Sequence, residues 1–152
     1  MRKLFYVFVF AFFTLCCSQL SACDKERKMN ISIQDTMKLK ITIGDKTAEA
    51  ILYDNPTSRD FASLLPLTVE LKDYSNIEKV FTLSKELTIE GAPDGFDPSI
   101  GDLTYYAPWG NIALFYKDFS YADGLVSLGK ITSGLEHFII NGSLTVKFEL
   151  EH

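Results

Sequence analysis

Beyond residue 36, apolar and polar residues alternate in runs of five to seven, and this period constrains the fold more than any other feature. Side chains of an extended strand point to opposite faces in turn, so such a run buries one face and wets the other. In Met37–Ile43 the residues Met37, Leu39, Ile41 and Ile43 interleave with Lys38, Lys40 and Thr42. Gly44-Asp45-Lys46 turns the chain and Thr47–Tyr53 returns, which predicts a hairpin. Further strands are expected at Leu67–Lys72, Glu78–Leu83, Leu103–Ala107, Ile112–Lys117, Leu125–Ile131 and Leu144–Leu150. Two short helices interrupt them. In Asn55–Phe61, Thr57 and Asp60 have the Ser/Thr-x-x-acid spacing that satisfies free amides at a helix start, and Pro66 stops the helix. Ser133-Gly134-Leu135-Glu136 repeats that spacing. Glu90 to Asp102, broken by Gly91, Pro93, Gly95, Pro98 and Gly101, is expected to be a long loop. Eight strands and two short helices over 37–152 predict a single all-β domain, a barrel or a sandwich.

A different pattern precedes the strands. Arg2 and Lys3 are followed by Leu4 to Leu15, apolar except for Thr14, and then by small residues leading to Leu20-Ser21-Ala22-Cys23. This is the layout of a secretory signal peptide over 1–22, shorter than the roughly 20 apolar residues a spanning helix needs. The last four residues resemble a bacterial lipobox, which implies cleavage before Cys23 and lipid on its sulfur; an ordinary cleaved signal with a spare cysteine is the alternative. Residues 23–36 then read as a tether. The expected location is the bacterial cell envelope, anchored in a membrane through Cys23 and facing the periplasm or the cell exterior.

Charge and composition exclude several functions. Without residues 1–22 the chain has 13 basic and 20 acidic residues, a formal charge of −7, and no basic run. Nucleic acid is therefore not an expected partner, since that binding rests on Lys and Arg against phosphate. All three cysteines, Cys16, Cys17 and Cys23, precede the strands, so the domain has no disulfide, zinc thiolate or cysteine nucleophile. His137 and His152 have no metal-ligand spacing, and no Gly-x-Ser-x-Gly turn presents a nucleophile. Glu90, Asp94, Asp97 and Asp102 lack the spacing of a calcium loop. No catalytic residue, metal or cofactor is expected.

Three segments carry a family resemblance. Asn55-Pro56-Thr57-Ser58-Arg59-Asp60-Phe61 resembles the Pro-Lys-Thr-x-x-Asn-Phe start of the first cyclophilin helix, and Asp123-Gly124 with Leu128-Gly129-Lys130-Ile131 resembles the Asp-Gly…Phe-Gly-Lys-Val stretch. Thr132-Ser133-Gly134-Leu135-Glu136 stands where a second helix begins. Gly101-Asp102 and Tyr105-Tyr106-Ala107-Pro108-Trp109-Gly110-Asn111 look like a bacterial cyclophilin-like family distinct from the proline isomerases. The resemblance implies a closed eight-stranded β-barrel with a helix at each end. It does not carry the activity over. Where the isomerases have Phe-His-Arg, this chain has Lys79-Val80-Phe81-Thr82-Leu83-Ser84-Lys85, and the glutamine of Gly-Ser-Gln-Phe-Phe is missing from Gly110-Asn111-Ile112-Ala113-Leu114-Phe115.

Ligand contact is instead expected from the aromatic-rich segment. Pro108 and Gly110 put Trp109, the only tryptophan, in a turn, where a large ring is less easily buried. Tyr105, Tyr106 and Asn111 flank it, and aromatic residues with polar handles suit ligand faces. By the resemblance, Phe115 falls near the hydrophobic pocket and Tyr121 at a groove-lining position. Tyr105, Tyr106 and Phe115 have a second reading, as alternate residues filling the barrel. The expected function is a peptide- or small-ligand-binding accessory module with its groove around Trp109, Tyr121 and the 90–102 loop. The alternative is a divergent prolyl isomerase that uses Arg59 or backbone groups.

Overall fold

The computed structural model describes residues 36–151; the leader, Cys23 and the tether up to Asp35 lie outside the described residues. The strands are β1 (Met37–Ile43), β2 (Lys46–Leu52), β3 (Leu67–Tyr74), β4 (Glu78–Thr82), β5 (Gly95–Phe96), β6 (Asp102–Tyr106), β7 (Asn111–Phe115), β8 (Ala122–Asp123), β9 (Leu125–Ser133) and β10 (Leu144–Leu150). Eight of them close a barrel in the order β1-β10-β3-β4-β7-β6-β9-β2, and every pairing is antiparallel. These are the eight strands expected from the alternation. Closure leaves no open sheet edge in the barrel.

The register carries the alternation into the core. Leu39 lies opposite Ala50 and Ile41 opposite Ala48, so large residues meet small ones across the β1–β2 hairpin. Phe148 of β10 stacks on Phe81 of β4 at 5.7 Å between ring centroids. Phe61 meets Phe148 edge-on at 6.1 Å, from the helix α1 (Pro56–Ala62). Complete burial of such a side chain contributes roughly 1.5–3 kcal/mol, which is what holds a helix of barely two turns.

Three local expectations are corrected. The cap of α1 is Asn55 rather than Thr57: its Oδ1 accepts from Ser58 N at 2.8 Å, and Pro56 occupies the first turn. Thr57 is buried, and Asp60 instead accepts from Thr88 N at 2.9 Å and Lys85 Nζ at 3.0 Å. The second helix is a single 3-10 turn, Leu135–Phe138, with no side-chain cap, because β9 runs on through Ser133. Gly134 there takes φ +77°, and a Cβ would stand 2.8 Å from the Cα of Ala48. The 90–102 segment is not wholly loop: β5 pairs with β8, Gly95 opposite Asp123 and Phe96 opposite Ala122. Gly95 permits this approach, since a Cβ would lie 2.4 Å from the Ala122 carbonyl oxygen.

One sector of the wall departs from one-sided burial. β7 is buried at every position and β6 at all but its last. Ile112 and Leu114 face the interior, whereas Ala113 and Phe115 join Leu125 in a second apolar cluster on the outside, packed by Val80, Phe96 and Tyr106. No helix among the described residues is long and apolar enough to cross a membrane.

Candidate functional site

The outer cluster forms the floor of a groove. Cross-strand partners share a face, so the register puts Glu78 beside Phe115, Val80 beside Ala113, and Thr82 beside Asn111 across β4 and β7. Tyr106 lies opposite Asn111 from β6, and Tyr74, at the end of β3, lies opposite Glu78. The groove has a volume of about 340 Å³, and Trp109, Phe119, Ala122 and Leu125 complete its lining. That volume is in the range of small-ligand sites.

Backbone geometry sets the rim. The β6–β7 turn bonds Trp109 N to Tyr106 O at 3.2 Å and Gly110 N to Tyr106 O at 3.0 Å, with Gly110 at φ +63°. Ala107 N donates to Gly124 O at 3.0 Å, which ties the turn to the β8–β9 corner. Trp109 is therefore held out from the wall, 61% exposed. It meets Tyr106 edge-on at 5.3 Å and Tyr74 edge-on at 6.1 Å.

Two polar groups stand out in this apolar setting. Asn111 is 8% exposed, and its Oδ1 is buried with no hydrogen-bond partner among the described residues. Glu78 sits at the opposite end of the β4–β7 pair, where burial pushes its carboxyl up to about 7. Beside it, burial pushes the Tyr116 phenol up to about 12, helped by a bond in which its hydroxyl donates to Asp73 Oδ2 at 3.0 Å.

The structure brings together four of the six expected ligand residues: Tyr106, Trp109, Asn111 and Phe115. Tyr105 is not with them. It is 1% exposed in the barrel core, and its hydroxyl accepts from Leu87 N at 3.2 Å. Tyr121 lies outside the groove lining, with its ring over Gly95. The 90–102 loop supplies no lining residue, although its Phe96 supports the outer cluster. Arg59 is exposed on α1, pairs with Asp54, and does not reach the groove. Sequence reasoning missed Tyr74, Glu78 and Phe119. A signal for the first two existed, because Val80-Phe81 and Ile112-Ala113-Leu114-Phe115 are apolar on both faces and so require cover outside the barrel. Among the described residues no cluster of His, Cys, Asp and Glu is placed to hold a metal ion.

A family comparison accounts for this architecture. The sequence model of the cyclophilin-like family matches residues 41–149, nearly the whole described domain. The chain belongs to the cyclophilin-like family. Its fold is similar to the solution structure of a hypothetical protein from Archaeoglobus fulgidus, with a TM-score of 0.56 and 22% identity over 76% of this chain and 95% of that one. At that identity the likeness is one of fold. No curated protein matches the chain. In this cyclophilin-like domain the barrel supplies the wall, and Tyr74, Tyr106 and Trp109 form an aromatic rim on one outer sector of it.

Proposed function

We propose that this cyclophilin-like domain is a binding module that takes an extended peptide or a small ligand in the groove on β4, β7 and β6, without prolyl isomerase activity. The observation that carries the reading is the groove itself: an apolar floor, four exposed or half-exposed rings, and the buried Asn111 Oδ1 with no partner among the described residues. A buried polar atom without a partner costs about 1–3 kcal/mol, and a ligand that pairs with it recovers that energy. The absence of any arginine from the groove lining supports the non-catalytic half of the reading, because lowering a rotation barrier of ~18–20 kcal/mol requires preorganised polar groups. The module is proposed to work in the cell envelope, held to a membrane by lipid on Cys23. Leu20-Ser21-Ala22-Cys23 after the apolar leader supports that placement.

NMR titration with a peptide library, including proline-containing members, tests both halves at once. Resonances of Trp109, Tyr106 and Asn111 are expected to shift, while cis–trans exchange of the peptides stays at its uncatalysed rate. Catalysed exchange that disappears in Arg59→Ala would establish the isomerase instead.

A further inference from the structure

The groove's chemistry has a sign. Trp109 is flanked by Tyr74 and Tyr106 at interplanar angles of 79° and 81°, an open box of rings rather than a stack. Aromatic faces carry negative charge density and attract cations. Glu78 stands cross-strand from Tyr74, and among the described residues the groove lining includes no Lys, Arg or His. Lys79, next in sequence, faces away and is fully engaged: its Nζ donates to Asp73 Oδ2 at 2.7 Å, to Ile140 O at 2.6 Å and to Gly142 O at 3.0 Å.

The two polar ends are also spaced. Glu78 pairs with Phe115 and Thr82 with Asn111, so the acid and the free amide oxygen are four residues apart along the strand pair. At about 3.3 Å per residue that is roughly 13 Å between backbone positions. Asn111 Oδ1 needs an N–H donor and Glu78 an ammonium or guanidinium. An extended peptide supplies backbone N–H groups along that span, and a lysine in it supplies an ammonium at the end of an apolar stem. The stem suits the Val80 and Ala113 floor.

We propose that the ligand is an extended peptide presenting lysine, with a backbone N–H of the peptide donated to Asn111 Oδ1 and the lysine ammonium held between Glu78 and the rings of Tyr74 and Trp109. This rests on the binding-module reading and names its substrate class.

The test uses the full chain and the fluorescence of Trp109, the only tryptophan. Three capped pentapeptides are compared, alike except for lysine, norleucine or Nε-acetyl-lysine at the centre. The lysine peptide is expected to bind roughly tenfold more tightly than either neutral one. Glu78→Gln should weaken the lysine peptide severalfold and narrow its advantage over the norleucine peptide, the share held by the Tyr74 and Trp109 rings remaining. The wild-type comparison stands even if the variant does not fold. Norleucine binding as tightly as lysine overturns the lysine assignment and keeps the binding module; no response to any of the three overturns the lysine assignment and leaves the binding module to be decided by the peptide-library titration.

Discussion

Glu78 and Asn111 are the two residues at which the domain departs from what folding alone favours. The Glu78 carboxyl, ordinarily near 4.5, is pushed up to about 7 by burial. Between those values the folded chain keeps a proton that the unfolded chain has released, so stability falls as pH rises through this window and stays lower above it. Tyr116, the ionisable neighbour pushed to about 12, stays neutral throughout the window. Thermal melts should show Glu78→Gln matching wild type below pH 4.5 and exceeding it at pH 8. Asn111→Leu removes the orphaned Oδ1 and fills its place with apolar volume. We expect it to raise unfolding free energy by about 1 kcal/mol in urea titration and to abolish the Trp109 response to ligand. Stability and binding would then move in opposite directions at one position, as at other sites that hold strain for function.

At the scale of elements, one buried charge joins three segments. Lys79 Nζ is wholly buried and links β4 to Asp73 on β3 and to the carbonyls of Ile140 and Gly142 in the turn before β10. Removing a partner from a buried ion is worse than removing the ion, because the remaining charge keeps its desolvation penalty. Asp73→Ala should therefore cost about 3–5 kcal/mol in denaturant titration, and Lys79→Met less. The hydrogen bond from Lys79 holds the Asp73 carboxyl below its ordinary value of 3.8. Its contribution to stability is thus complete above that value and fades as pH falls below it. Gly129 on β9 presents a second constraint: a Cβ there would lie 1.9 Å from the Ile51 carbonyl oxygen, so Gly129→Ala must push β2 and β9 apart and lower the melting temperature. Such contacts also mark where sequence was readable. Most of the long strands were legible because they repeat their period several times, and β7 because it is a short apolar run between turn residues. β5 and β8 were not, because two residues make no period and their pairing depends on Gly95 meeting a distant segment. A third of the groove lining was legible, largely because Tyr106, Trp109 and Asn111 are neighbours in sequence. Tyr74 and Phe119 come from other segments, and Tyr105 follows its second reading, as a residue that fills the barrel.

For the whole molecule, the lipid proposal yields a direct expectation. Cells fed a clickable fatty acid should label the protein, and Cys23→Ala should lose the label and move the protein out of the membrane fraction. Unlabelled wild type would leave an ordinary secreted domain. The ring order of strands adds something the single site does not. β1, where residues 1–36 join the barrel, and β7, the centre of the groove floor, are four steps apart in a ring of eight, on opposite walls. A bulky fusion placed before Met37 should therefore leave ligand affinity unchanged. Under the lipid proposal, a load carried by the chain before Met37 enters the barrel at β1, across the ring from the groove floor on β7.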